Sequence, residues 1–389
     1  MTIEPEALAP FYSRFRVSER VLLTGHSHQA WPDVSFEAQQ QAWLDAAALA
    51  DGKWSRAQEV ADRVADGWRE LLGDPTGAVA FGANTHELVV RWLSALPLDR
   101  RPRLVTTDGE FHSIRRQVDR LAEAGLAIVK VPARPVDTLA DRLSRAADDR
   151  TAAVLVSSVL FETAEIVPGL EHVAAVAERV GASLLVDAYH HLNVVPFAVT
   201  AMGLDRAFVV GGGYKYCQMG EGNCFLRVPP GCTLRPVITG WFSEFAELAE
   251  APEPGKVSYG AGGARFAGAT YDPTAHYRAA AVFGFFREQG LTPDVLRGIS
   301  RRQVARLERA IAGLDLDPQL AAVPAIPPDG RAGFLAVRTA RAQQLVEALR
   351  ARDIHTDARG EYLRLGPAPY VTDTQLDDAV AAMAEILRA

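Results

Sequence analysis

The sequence predicts a large α/β domain on a mostly parallel sheet covered by helices, followed by a smaller terminal α+β domain. Three observations carry this. Short apolar runs alternate with helical stretches from about residue 79 to 210. An irregular proline- and glycine-rich segment follows over residues 229–274, and a helix-strand alternation then closes the chain. A length of 389 residues at 48% apolar composition is also more than one core usually takes.

Taken in order, residues 35–72 read as a helix, because Trp43, Leu44, Ala47, Trp54, Val60, Val64, Trp68 and Leu71 recur at near-helical spacing. Gly73, Asp74 and Pro75 end it. The spacing then predicts a strand at 79–81, a helix at 87–96, a strand at 103–106, a helix at 114–124 and a strand at 127–131. A strand at 152–157, a helix at 170–180 and strands at 183–186 and 207–210 complete the larger domain. The terminal part reads as helices at 275–288 and 294–312, a strand at 333–337, a helix at 340–352, a strand at 362–365 and a helix at 373–388. In such sheets ligands collect at the turns after the strands.

Charged residues make up 23% of the chain and the formal net charge of −7 is dispersed, which argues against nucleic acid as a partner. No window approaches the roughly 18 uninterrupted apolar residues of a membrane span, and the start of the chain lacks a basic stretch followed by an apolar run. A cytoplasmic location is the expectation. Three cysteines, Cys217, Cys224 and Cys232, suit a reducing compartment, and their spacing lacks the tight pairs of a zinc site. Gly211-Gly212-Gly213 leads into Tyr214 and Lys215 with no Gly-x-Gly-x-x-Gly opening a helix, which sets aside a dinucleotide site.

The chemistry centres on Asp187, at the end of one apolar strand, and Lys215, just past the end of the next. An amine and a carboxylate from neighbouring strand ends are what pyridoxal 5'-phosphate (PLP) needs: one to form a Schiff base, the other to keep the pyridine nitrogen protonated. Burial depresses a lysine pKa and makes the amine usable near neutrality. Asn84 and Thr85 stand where a turn opens a helix, placed to hold a phosphate with backbone N–H groups and a hydroxyl.

These residues resemble kynureninase and, more broadly, the class V aminotransferase group of PLP enzymes with the type I fold. The resemblance runs over nearly the whole chain. It is carried by Leu185-Val186-Asp187-Ala188-Tyr189-His190, by Tyr214-Lys215-Tyr216 with Gly220 and Gly222, by Gly240-Trp241-Phe242, by Phe111-His112-Ser113, and by Arg364-Leu365-Gly366-Pro367-Ala368-Pro369-Tyr370. It implies a mostly parallel seven-stranded sheet, an N-terminal segment (1–35) over the active site, a PLP-binding domain (36–275) and a small C-terminal domain (276–389). It further implies that Lys215 carries the Schiff base and moves the proton, that Asp187 partners the pyridinium, and that Phe111 stacks on the ring. His190 and Ser158 would lie near the cofactor. Tyr214, Trp241 and Thr270 would join Asn84 and Thr85 at the phosphate, some across a homodimer interface, and Arg364 would fix the substrate α-carboxylate.

The sequence departs from the family at Thr24-Gly25-His26-Ser27-His28, where kynureninases show Gly-Asn-Ser-Leu-Gly. His26 and His28 are therefore expected to read the distal group of a different small amino acid. The leading expectation is kynureninase-like hydrolytic C–C cleavage through a Schiff base and quinonoid. An aminotransferase or β-eliminating lyase is the alternative, and a non-catalytic PLP-fold sensor is the reading from another class. Cysteine desulfurase fits less well, because all three cysteines cluster just after Lys215 rather than on a mobile loop facing the substrate.

Overall fold

The structure is a computed structural model and describes residues 3–248 and 254–388. Part of the irregular segment expected at 229–274 therefore lies outside the described residues. The central sheet has seven strands in the order Ala78–Gly82, Cys224–Val228, Phe208–Gly212, Ser183–Asp187, Thr151–Ser157, Arg103–Thr107, Ala127–Val131. Cys224–Val228 alone runs against the rest, pairing antiparallel with both of its neighbours. The sequence reading omits this strand because Arg227 interrupts its apolar run. That side chain is buried nonetheless, its Nε donating to Asp74 at 2.7 Å and its Nη1 to the carbonyls of Asp205 and Ala207. A buried cation paired with a carboxylate and two carbonyls no longer marks a surface.

Alternation along the strands divides the core into two layers. Val154, Val156, Leu184, Val186 and Val209 face one helical layer. Ala153, Leu155, Leu185, Val210 and Leu226 face the other, against the helices Thr85–Ser94 and His112–Glu123. The register sets Ser157 opposite Asp187 and Asp187 opposite Val210, so the strand ends that matter share one edge.

Two expectations need correction. The stretch read as a single helix over 35–72 is two helices, Val34–Leu49 and Lys53–Leu71, parted at Ala50, whose φ of 49° lies outside helical backbone. The crossover between Ala127–Val131 and Thr151–Ser157 also contains a helix, Leu139–Ala146, which the sequence reading left out.

The terminal part holds an antiparallel sheet in the order Asp357–Arg359, Tyr362–Leu365, Leu335–Arg338. The N-terminal segment is fastened to it. Val21–Leu22 pairs in parallel with Ile354–His355, and the Gly25 N–H donates to the Gly366 carbonyl at 2.7 Å. A β-carbon on Gly366 would strike the His26 ring, so the two segments need glycine there to approach so closely. Among the described residues no helix is long and apolar enough to cross a membrane.

Candidate active site

A cavity of about 230 Å³ opens at the strand-end edge, and Asp187 and Lys215 both line it. Lys215 lies three positions beyond the strand Phe208–Gly212 and is 4% exposed. Its Nζ sits 2.6 Å from His190 Nε2 and within 4.8 to 5.7 Å of the ring centres of Tyr189, Phe111 and Tyr214. Burial among these rings penalises the ammonium form and brings the amine down to about 7, against the opposing pull of Asp187. Burial likewise holds His190 far below the usual imidazole range, so it stays neutral beside the amine. Asp187 is pushed up by burial, although its Oδ1 accepts the Tyr189 N–H at 2.9 Å.

Of the residues singled out in the sequence, Asn84, Thr85, Phe111, His190 and Tyr214 also line the cavity. Asn84 caps the helix Thr85–Ser94, its side chain accepting from the Glu87 N–H at 2.9 Å, which leaves the helix N-terminus facing the cavity as an anion cradle. The other expected residues stand elsewhere. Ser157, not Ser158, reaches the cavity; strand alternation turns Ser158 away, and its hydroxyl donates to the Asp187 carbonyl. Trp241 and Thr270 are exposed and lie off this cavity.

The substrate residues are displaced more sharply. His28 is at the rim, stacked on Tyr214 at 4.9 Å with Glu221 3.5 Å from its Nε2. His26 is fully buried behind the cavity, Nε2 at 2.6 Å from Asp357 Oδ1. Arg364 does not line the cavity either. Its Nε donates to Asp357 Oδ1 at 2.8 Å, its Nη2 to Oδ2, and its Nη1 to the Phe161 carbonyl at 2.5 Å. Asp357 therefore occupies the fork that the sequence reading reserved for a substrate carboxylate. It is held far below the ordinary carboxylate range by His26 and Arg364, despite its burial.

Glu110 is the residue the sequence reading missed most plainly. It is 2% exposed and accepts from Thr107 Oγ1 at 2.7 Å, the Ser157 N–H at 3.2 Å and Ser157 Oγ at 2.6 Å, which ties the turn before Phe111 to the strand beside Asp187. Nothing in its sequence setting distinguishes it from a solvated turn glutamate. Burial raises it from 4.5 to about 7. A folded-state pKa above the unfolded value contributes stability below the unfolded pKa, and that contribution is lost as pH rises through the folded one. The cofactor-free protein is thus expected to lose a few kcal/mol of stability between about pH 4.5 and pH 7 from this group. Thermal unfolding across that range should show the decline in the natural protein and a much flatter profile in Glu110→Gln.

The residues present fit PLP. An amine, a carboxylate, an aromatic ring (Phe111) and a helix N-terminus surround one cavity, and the buried His190 Nδ1 has no hydrogen-bond partner among the described residues. Comparison with known proteins agrees. Residues 296–383 match the family model of the kynureninase C-terminal domain. An uncharacterized aminotransferase of Bacillus subtilis (strain 168), YcbU, is 23% identical over 348 residues, 88% of each chain. The chain is similar in sequence to an aminotransferase and in fold to PLP-dependent enzymes. Solved structures share the fold. A mutant of C-DES with glycine covalently linked to its PLP cofactor superposes with a TM-score of 0.81 at 18% identity, over 97% of this chain and 98% of that one. The cysteine desulfurase of Thermococcus onnurineus NA1 in its apo form gives 0.82 at 16% identity, over 100% and 99%. The fold they share is the PLP type I fold, with the mixed seven-stranded sheet described above.

Proposed function

We propose that this protein takes a small α-amino acid on PLP and cleaves its side chain by kynureninase-like hydrolysis. The observation that carries the reading is Lys215: a buried amine near neutrality, hydrogen-bonded to a neutral imidazole and facing a cavity that Asp187 also lines. When bound, PLP supplies the electron sink for charge at the substrate Cα. Lys215 would hold the cofactor and then move the Cα proton, with His190 as the neighbour that keeps its Nζ oriented. Asp187 would face the ring nitrogen, Phe111 would cover the ring, and Asn84, Thr85 and Tyr214 would hold the phosphate. Tyr189, Phe111 and Tyr214 keep water from the amine, which preserves its low pKa.

The match of residues 296–383 to the kynureninase C-terminal domain supports hydrolysis. A second reading, β-elimination, is supported by the likeness to C-DES, described as a cystine C–S lyase (TM-score 0.80, 18% identity, 95% of this chain and 98% of that one). A desulfurase with its own nucleophilic thiol fits poorly, since burial raises all three cysteines and makes thiolate scarce. Incubating the holoprotein separately with L-kynurenine, L-cystine, and L-alanine plus a keto acid tests these branches. Anthranilate with alanine marks hydrolysis, pyruvate marks elimination, and a new amino acid marks transamination.

We further propose a homodimer and a cytoplasmic location. Phe36, Trp43, Leu44 and Leu49 project exposed from the helix Val34–Leu49, and Val237, Ile238, Trp241 and Phe245 from the irregular segment. Such apolar surface suits a partner copy, which would also bring Trp241 and Thr270 to the neighbouring cavity. Trp43, at 78% exposure, is the sharpest probe. Trp43→Glu is expected to shift the mass measured by light scattering toward the monomer and to weaken PLP retention about tenfold or more, as one buried charge at an interface costs more than 1.4 kcal/mol.

A further inference from the structure

Three residues past Lys215, Gln218 adopts left-handed backbone with a φ of 58°. That region suits glycine, asparagine or aspartate, and a longer side chain crowds its own backbone there. A glutamine held at such a place points to a use for its side chain. The Gln218 side chain is fully buried, and the N-terminal segment engages both ends of its amide. Its Oε1 accepts the Tyr12 hydroxyl at 2.5 Å, and its Nε2 donates to Gln29 Oε1 at 2.7 Å. Tyr12 is fixed in turn: it is fully buried, with its ring 4.7 Å from that of Tyr370, whose hydroxyl accepts the Ala30 N–H at 2.9 Å.

The backbone of the same residue closes the turn that begins at Lys215. The Gln218 N–H donates to the Lys215 carbonyl at 3.1 Å, and on the other side of the lysine the Gln29 N–H donates to the Tyr214 carbonyl at 3.4 Å. The N-terminal segment thus grips the chain on both sides of the amine, with the two amide contacts spanning 206 and 189 positions. We propose that Gln218 is a positioning residue for Lys215: Tyr12 and Gln29 hold its amide, the amide holds the turn, and the turn keeps Lys215 Nζ against His190. This rests on the functional reading above and adds that the docked N-terminal segment, not the sheet alone, sets where the cofactor-bearing amine stands. An error of about 1 Å in that place is enough to spoil a positioned reacting group.

The test is capture of PLP by the full chain freed of cofactor, followed as growth of the visible band across pH, with thermal unfolding measured alongside. Gln218→Gly keeps the left-handed turn and removes the amide. It is expected to let water reach the amine and move the pH midpoint of capture from about 7 to about 8, slowing capture at pH 7 about fivefold. Tyr12→Phe keeps the buried ring and removes only the hydroxyl. It should shift the midpoint the same way by less, and should add nothing in the Gln218→Gly background, since both act through one contact. A midpoint and rate as in the natural protein in both variants overturn the assignment and leave the functional reading standing. A lowered unfolding temperature with an unchanged midpoint overturns it too, since that is what a merely structural turn would give. Additive shifts in the double variant overturn the route through Gln218. A natural protein that forms no visible band with PLP overturns the role of Lys215, and this inference with it.

Discussion

Lys215→Ala is expected to lose the visible band of covalently held PLP and to cut turnover by at least about 10⁴-fold, the upper range of what one positioned proton-transfer group supplies. The chain has four lysines, and Lys53, Lys130 and Lys256 do not line the cavity, so no other amine stands ready to replace it. The substitution leaves a small hole among Phe111, Tyr189 and Tyr214 and should cost little stability, because the buried group it removes is one that burial disfavours when charged. The same residue sets a pH dependence. With an amine titrating at about 7, the free-base fraction grows as pH rises through that value. The rate at which cofactor-free protein captures PLP should therefore climb between about pH 6 and pH 8 and then level off. An unchanged band in the variant, seen by absorption after dialysis, would remove Lys215 from the role.

Asp187→Ala should separate holding the cofactor from using it. The amine remains, so PLP should still attach; the charge that faces the ring nitrogen is gone, so turnover should fall roughly 10² to 10³-fold, as for other preorganised electrostatic contacts. Asp187→Asn tests the cause, since it keeps the side-chain acceptor for the Tyr189 N–H and loses only the charge. A fall in Asp187→Asn nearly as large as in Asp187→Ala assigns the effect to electrostatics, whereas normal turnover in Asp187→Asn would place the ring nitrogen against another group. Removing Asp187 also removes an anion that favours the Lys215 ammonium, so the pH midpoint for PLP capture should move below that of the natural protein.

The sequence by itself determined the parallel strands of the sheet, the central pair of residues and the cofactor chemistry. The strands 103–107, 127–131, 151–157, 183–187 and 208–212 are short apolar runs with periodicity that only a covered sheet satisfies. Asp187 and Lys215 stand at the ends of two of them, and since adjacent parallel strands end on one edge, strand order alone was enough to bring the two to one cavity. Helix N-terminal chemistry at Asn84 and Thr85 was equally local.

What only the tertiary structure decided depends on pairing across long separations. His26 and Asp357 lie 331 positions apart, and Arg364 is seven from Asp357 but meets it only because a hairpin turns between them. No periodicity predicts that a carboxylate will fill an arginine's fork, because the contact comes from strand register and from the N-terminal segment docking on the small sheet. Glu110 and Arg227 belong to the same class: charged residues that read as solvated until three acceptors or donors, supplied by separate elements, compensate their burial. Local patterns encode which face of an element is apolar; they carry no record of which distant polar group meets a buried charge.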